Sequence, residues 1–399
     1  MIRTIQINKD EYELDLNNPV VRYKNNPILT CHNVNSVWNK PHLKTITVHN
    51  SGVSEYAGNT ILLFRSHLRN GISVIGNAIS NNGIDNWKIS PVPFVKPCSK
   101  SDNHSSKYHI ERLIENEAGG VEDPRITQID DAYFITYSAY HATIKNKVRV
   151  SLAVTKDFEK LKRFGAVVEV DMRNVVIFPE KINGSYVALF RPNDVTSDDT
   201  GGTFSEIKIG YSDEIESNNW KLEPNPIMKQ LGGPSAFSDK IGPGAPPIKT
   251  KHGWINIFHG VRKTMDGNPY VLGVALHELD DPKTVKVSNI PILFPSQADC
   301  NVNEDDYVHV PNVVFTCGAI RKKDGTIFIY YGGNDTVMNL AVTHEDILAE
   351  LCNKYPQDPL SGEALYVMMD EWNDGLKNRR VEKWENGKME IPNIPIPIS

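Results

Sequence analysis

Carboxylates and guanidinium groups carry the chemistry that this sequence advertises. The stretch EAGGVEDPRITQI, residues 117–129, sets Glu122, Asp123 and Arg125 around a proline just before an apolar run. Pro124 fixes its own φ and biases Asp123 toward an extended conformation, and Gly119 and Gly120 allow a close backbone approach. An aspartate held this stiffly can act as a general acid. It can equally be an Asp–Pro turn with Arg125 as a salt-bridge partner on the surface. A second stretch, DMRNVVIFPEKINGSYVALFRPN (171–193), carries Arg173 and Arg191 on two strand-like pieces joined through an Asn-Gly turn. A hairpin that brings both to one rim suits a carboxylate or a phosphate, because guanidinium forks bind oxyanions in pairs. A third, SDKIGPGAPPIKTKHGWINIFHGV (238–261), leads Lys240 through a Gly-Pro loop into a run containing His259.

Other chemistries leave no trace. The sequence has no GxxxxGK[ST] loop, HExxH, EF-hand loop or GxSxG elbow, and GPGAPP (242–247) is no dinucleotide fingerprint. The twelve histidines show no ligand spacing, so neither a metal nor a cofactor is expected. Inverting hydrolysis of a glycoside needs one carboxylic acid for the leaving oxygen and a second carboxylate to activate water. Inorganic phosphate as co-substrate removes the need for that base, since it arrives charged and cations position it. One rigid aspartate beside a cationic ring fits phosphate better.

These residues must be positioned by something, and the sequence repeats itself. Five runs rich in aromatic and β-branched residues end on small or polar ones: TILLFRSH from Thr60, AYFITYSAY from Ala132, SYVALFRPN from Ser185, GWINIFHGV from Gly253 and TIFIYYGGND from Thr326. Each is followed by a second strand-like stretch and most of these by a turn, the pattern of antiparallel meanders. A single meander cannot bury its face, whereas five arranged radially can, which favours a five-bladed β-propeller over a long sandwich. Aligned on their last aromatic, the runs continue with Arg65, Ser138, Arg191, His259 and Gly332, with Asp335 just beyond. Matching positions in radial blades face one region of the axis, so two arginines and a histidine are expected to meet there. Helical periodicity is confined to KYHIERLIENE (107–117) and HEDILAELCNKY (344–355).

Composition sets the outer bounds. The 399 residues are 40% apolar and 23% charged with a net charge of −6, ordinary values for a globular protein. No basic excess advertises nucleic acid or an anionic membrane. The N-terminus carries charges where a signal peptide has an apolar core, and no run reaches the length of a membrane span. Five scattered cysteines without a CxxC pair read as reduced thiols of a cytoplasmic protein.

With these residues assembled, the sequence resembles glycoside hydrolase family 130, the β-mannoside phosphorylases and related β-mannosidases. The resemblance covers roughly residues 45–345 and rests on HNSG (49–52), LLFR (62–65), GGVEDPRIT (119–127), RNVVIFPEKINGSYVALFRP (173–192), KIGPGAPPIKTKHGWINIFHGV (240–261) and IYYGGNDT (329–336). It implies an all-β fold, a five-bladed propeller with short helical additions and a central site. Residues 1–44 would pack on the propeller, 45–345 would form it, and 346–399 would be a C-terminal helix and tail. Asp123 would be the general acid, passing its proton through the mannose 3-hydroxyl to the leaving oxygen. Phosphate would attack from the opposite face and give α-mannose 1-phosphate. By motif position, Arg173, Arg191, His259 and Tyr270 would bind phosphate, and Asn50, Ser51, Arg65, Lys240 and Asp335 the mannose or its neighbours. An inverting β-mannosidase, a mannosyltransferase and a non-catalytic glycan-binding propeller stand as alternatives. The segment 99–120 and the tail 370–399 depart from the family pattern and are available for acceptor binding or for a subunit contact in a homo-oligomer.

Overall fold

Strands that are covered on both faces read as unbroken apolar runs, and each of the five runs is such a strand. In a computed structural model, which describes residues 1–144, 147–193, 195, 196, 203–230, 235–265 and 267–360, each run forms the second strand of an antiparallel sheet. Those strands are Asn59–Leu68, Ala132–Tyr140, Tyr186–Pro192, Gly253–Val261 and Thr326–Gly333. The five sheets stand in a ring as the blades of a propeller, which decides against the sandwich. Residues along one strand alternate between the two adjoining blades. Ile61 and Leu63 pack with Val121, Ile126 and Ile135 of blade two, whereas Leu62 and Phe64 pack with Ile320, Phe328 and Tyr330 of blade five. Five such apolar wedges lie between neighbouring blades, so the core is distributed around the ring.

The first strand of each blade lies innermost. These are Thr45–Tyr56, Gly120–Ile129, Met172–Ile177, the broken pair Lys240–Pro243 and Ile248–Thr250, and Val314–Arg321. Blade five takes its fourth strand from the other end of the chain: Val21 and Arg22 pair with Val342 and Ala341 and close the ring. Arg22 then reaches inward to grip the fully buried Asp299 with two nitrogens, at 2.7 and 2.9 Å. The N-terminal segment therefore supplies a strand of the propeller as well as packing against it. Both expected helices form, as Ile110–Glu117 and Glu345–Lys354. In the second, the His344 side chain accepts the Asp346 amide, and acidic residues open the first turn. No helix among the described residues is long and apolar enough to cross a membrane. The tail expected over 370–399 lies outside the described residues.

One position shows how tightly the ring closes beside the turn that carries Asp335. A Cβ at Gly333 would stand 1.8 Å from the Asp299 carbonyl oxygen and 2.6 Å from Asn339 Nδ2. Gly333→Ala is therefore expected to destabilise the protein by about 2 kcal/mol or more. An unchanged thermal midpoint would show instead that this backbone yields freely.

Candidate active site

Each inner strand carries an irregularity where it passes the axis. The register slips between His49 and Gly52, between Glu122 and Arg125, between Arg173 and Val176, and between Thr316 and Gly318. In blade four the amides of Gly244 and Ala245 both donate to the Ile257 carbonyl. At the first three bulges the residue after the slip has positive φ: Asn50 at 50°, Asp123 at 51° and Asn174 at 50°. Asn and Asp are the non-glycine residues that tolerate this region best. The expected extended conformation of Asp123 is thus corrected. The bulge overrides the local influence of Pro124, at a cost of about 1–3 kcal/mol of strain. What holds it is Arg125, which donates to the Asp123 carbonyl at 2.8 Å, the Gly244 carbonyl at 2.9 Å and Asn174 Oδ1 at 3.0 Å. Arg125 is only 2% exposed. It is a buried strut between blades two, three and four, not a surface salt-bridge partner.

The bulges turn side chains toward the axis, where they divide into two halves. In the acidic half, Asp123 Oδ1 accepts from Asn50 Nδ2 at 3.0 Å and from Arg65 Nη1 at 3.3 Å. Arg65 Nη2 donates to Glu122 Oε1 at 2.8 Å. Side-chain exposures of 12% for Arg65, 14% for Glu122 and 16% for Asp123 leave the group reachable but mostly screened from water. Asp335 completes it: burial pushes its carboxyl up to about 6, Arg65 opposes that shift, and Asp123 and Glu122 add to it. Burial works against the Arg65 charge, yet the surrounding carboxylates hold its proton more firmly than usual. Ser51 is buried beside Asn50 on the same bulge, and its hydroxyl has no partner among the described residues.

The other half is basic. Arg173 and Arg191 sit directly opposite each other on neighbouring strands. Like charges in that position repel unless an anion joins them. The Arg173 guanidinium lies 5.7 Å from the ring centre of Tyr140, and its buried Nε has no partner among the described residues. His259 faces Gly242 across the blade, 4.6 Å from the Phe315 ring and stacked at 6.2 Å on Tyr270. Burial, then Arg191, Arg125 and Lys240, push His259 well below the usual histidine range. The two arginines and the histidine therefore do not form the expected cationic meeting point. Arg65 belongs to the carboxylates, and His259 is a neutral imidazole. The positive charge around it comes from Arg191, Arg125 and Lys240, which sets Lys240 on the His259 side of the site. Tyr270 is influenced by Arg191, Asp335 and Arg173 and so stands between the halves.

Nine of the ten candidate residues thus come from the inner and second strands or the turns beside them, and Tyr270 opens the third strand of blade four, Tyr270–His277. Sequence reasoning left Glu122 without a role and missed Ser73, Tyr140 and Asn174. Aligning the inner strands would have found Asn174, since His49-Asn50, Glu122-Asp123 and Arg173-Asn174 occupy equivalent positions. Elsewhere, Cys31, His32 and Asp306 bring their ligand atoms within 4.8 Å of one another, a grouping hidden by their separation in sequence. His32 is already engaged there by Asp306 at 2.8 Å.

Comparison with known proteins agrees with this fold. The model of glycoside hydrolase family 130, described as beta-1,4-mannooligosaccharide phosphorylase, matches residues 19–354. The 1,2-beta-oligomannan phosphorylase of Thermoanaerobacter sp. (strain X514) is 35% identical over 273 residues, 68% of this chain and 78% of that protein. The 4-O-beta-D-mannosyl-D-glucose phosphorylase of Bacteroides fragilis is 28% identical over 352 residues, 87% of this chain and 86% of that one. Among solved structures, the beta-1,2-mannobiose phosphorylase from Listeria innocua, in complex with beta-1,2-mannobiose, superposes with a TM-score of 0.66 at 28% identity. It covers 84% of this chain and 99% of that one.

Proposed function

Because the chain belongs to glycoside hydrolase family 130, we propose that it cleaves a terminal β-mannosidic bond with inorganic phosphate, reversibly and with inversion. The products are α-D-mannose 1-phosphate and the shortened sugar. Mannose lies over the acidic half, held by Asn50, Ser51, Arg65 and Asp335. Asp123 is the general acid and delivers its proton through the mannose 3-hydroxyl to the leaving oxygen. Phosphate lies between Arg173 and Arg191, with Tyr270 and the neutral His259 as hydrogen-bonding groups and Lys240 adding charge. Phosphate is a co-substrate, and no further cofactor takes part.

The observation that carries this reading is the opposition of Arg173 and Arg191 across one hairpin, facing a separate carboxylate cluster. An inverting hydrolase would place a second carboxylate across the sugar from the acid to activate water. Here Glu122, Asp123 and Asp335 all gather around Arg65. The test is a panel of β-1,2- and β-1,4-linked mannosides incubated with and without phosphate. Phosphate-dependent release of mannose 1-phosphate is expected. Equal release of free mannose without phosphate would overturn the proposal in favour of a β-mannosidase.

A further inference from the structure

The mechanism above leaves one carboxylate of the site unused. Glu122 precedes Asp123 in the same bulge and takes the shorter share of Arg65: 2.8 Å to Glu122 Oε1 against 3.3 Å to Asp123 Oδ1. A second bond steadies it, because Ser73 Oγ donates to the same Oε1 at 2.8 Å. Ser73 Oγ in turn lies 3.1 Å from His67 Nδ1. Since the Ser73 hydrogen goes to Glu122, His67 must donate from Nδ1, which fixes its tautomer. Burial and Arg65 lower His67 to about 4, so that imidazole is neutral. The chain can reach Ser73 only because Gly120, at φ 127°, brings its bare Cα against the Ser73 backbone, where a Cβ would stand 3.1 Å from the amide nitrogen. Of the glycine pair ahead of Glu122, Gly120 serves this contact, while Gly119 packs against the Tyr140 and His141 carbonyls.

We infer that Glu122 is a positioning residue: it occupies one arm of the Arg65 guanidinium and so keeps Arg65 from capturing the Asp123 carboxylate. An arginine fork free of Glu122 would bind Asp123 with two parallel hydrogen bonds. That arrangement would draw Asp123 away from Asn50 and stabilise its ionised form, which has no proton to give. The inference rests on the proposed role of Asp123 as general acid. The groups that face Glu122 are Arg65 from blade one, Asp123 beside it, Tyr140 from the second strand of blade two, Arg173 from blade three, and Asp335 from blade five. Removing the Glu122 charge leaves more of the Arg65 charge to act on Asp123. The sign follows: the acid loses its proton at lower pH, so the alkaline limb of the activity profile moves toward acid.

The test compares Glu122→Gln, Glu122→Asp and Ser73→Ala with the wild type on the β-mannoside that the wild type cleaves. Glu122→Gln is expected to lower kcat roughly 10- to 100-fold with KM little changed, and to shift the alkaline limb to lower pH. Glu122→Asp restores the charge and should return the limb toward its original position. Ser73→Ala loosens Glu122 without deleting it and should give a smaller shift of the same sign, which decides the matter should Glu122→Gln not fold. A folded Glu122→Gln variant with unchanged kcat and limb overturns the inference, as does a fall in melting midpoint with no movement of the limb. If the wild type releases mannose with water alone, phosphorolysis fails as the function, and the same comparison is made on that turnover. A wild type inactive on every mannoside sinks both readings.

Discussion

Asp123→Asn is expected to lower kcat by about 10²–10⁴-fold with the fold and sugar binding retained. Asparagine is the one replacement that removes only the acid. It tolerates the positive φ that Asp123 adopts at 51°, and its neighbours Asn50 and Asn174 hold the same conformation at equivalent bulges. Its carbonyl oxygen can still accept from Asn50 Nδ2 and Arg65 Nη1, and its backbone carbonyl still receives Arg125. What it lacks is a proton to give up as the glycosidic bond breaks. Steady-state kinetics, a melting curve and binding of the unreacted mannoside check the three parts separately. Full turnover in Asp123→Asn would make the bulge a structural turn and put the acid elsewhere, whereas intact glycan binding with no turnover in either protein would favour the glycan-binding reading. Alanine would be a poorer probe, because strain at positive φ would be added to the chemical loss.

Arg125→Met is expected to cost at least about 3 kcal/mol of stability, from three orphaned acceptors at about 1 kcal/mol or more each. The side chain is almost fully buried, and its three partners belong to blades two, three and four. Arg125→Lys keeps the charge but not the planar fork, so it should recover only part of the loss. Denaturant unfolding measures both. A loss of turnover beyond the loss of folded protein would show that the Asp123 bulge relaxes once its carbonyl is released. A small stability change would mean that water reaches all three acceptors.

The site was partly legible because a propeller writes its geometry into a repeat. Each blade is covered on both faces, so its second strand is an unbroken apolar run, and equivalent positions converge on the axis. That was enough to bring Arg65, Arg191, His259 and Asp335 into consideration together and to set Asp123 on a rigid stretch. Similarity to the family then supplied roles that spacing could not. The ring closure by Val21 and Arg22 had no such signature, because two residues pairing at a sheet edge carry no period.

The order and number of blades, the aspartate proposed as acid and the supply of guanidinium groups could be read from the sequence alone, since apolar periodicity and residue type are local properties. The tertiary structure alone decided the left-handed turn at Asp123, the burial of Arg125 as a strut, the neutrality of His259 and the grip of Glu122 on Arg65. Each of these is set by groups that meet only when the blades close. A bulge needs a partner strand to slip against, and a buried donor needs acceptors from other blades. A titrating side chain responds to desolvation by everything packed around it. In this protein the residues of the site are written in the chain, and their protonation and aim are written in the ring.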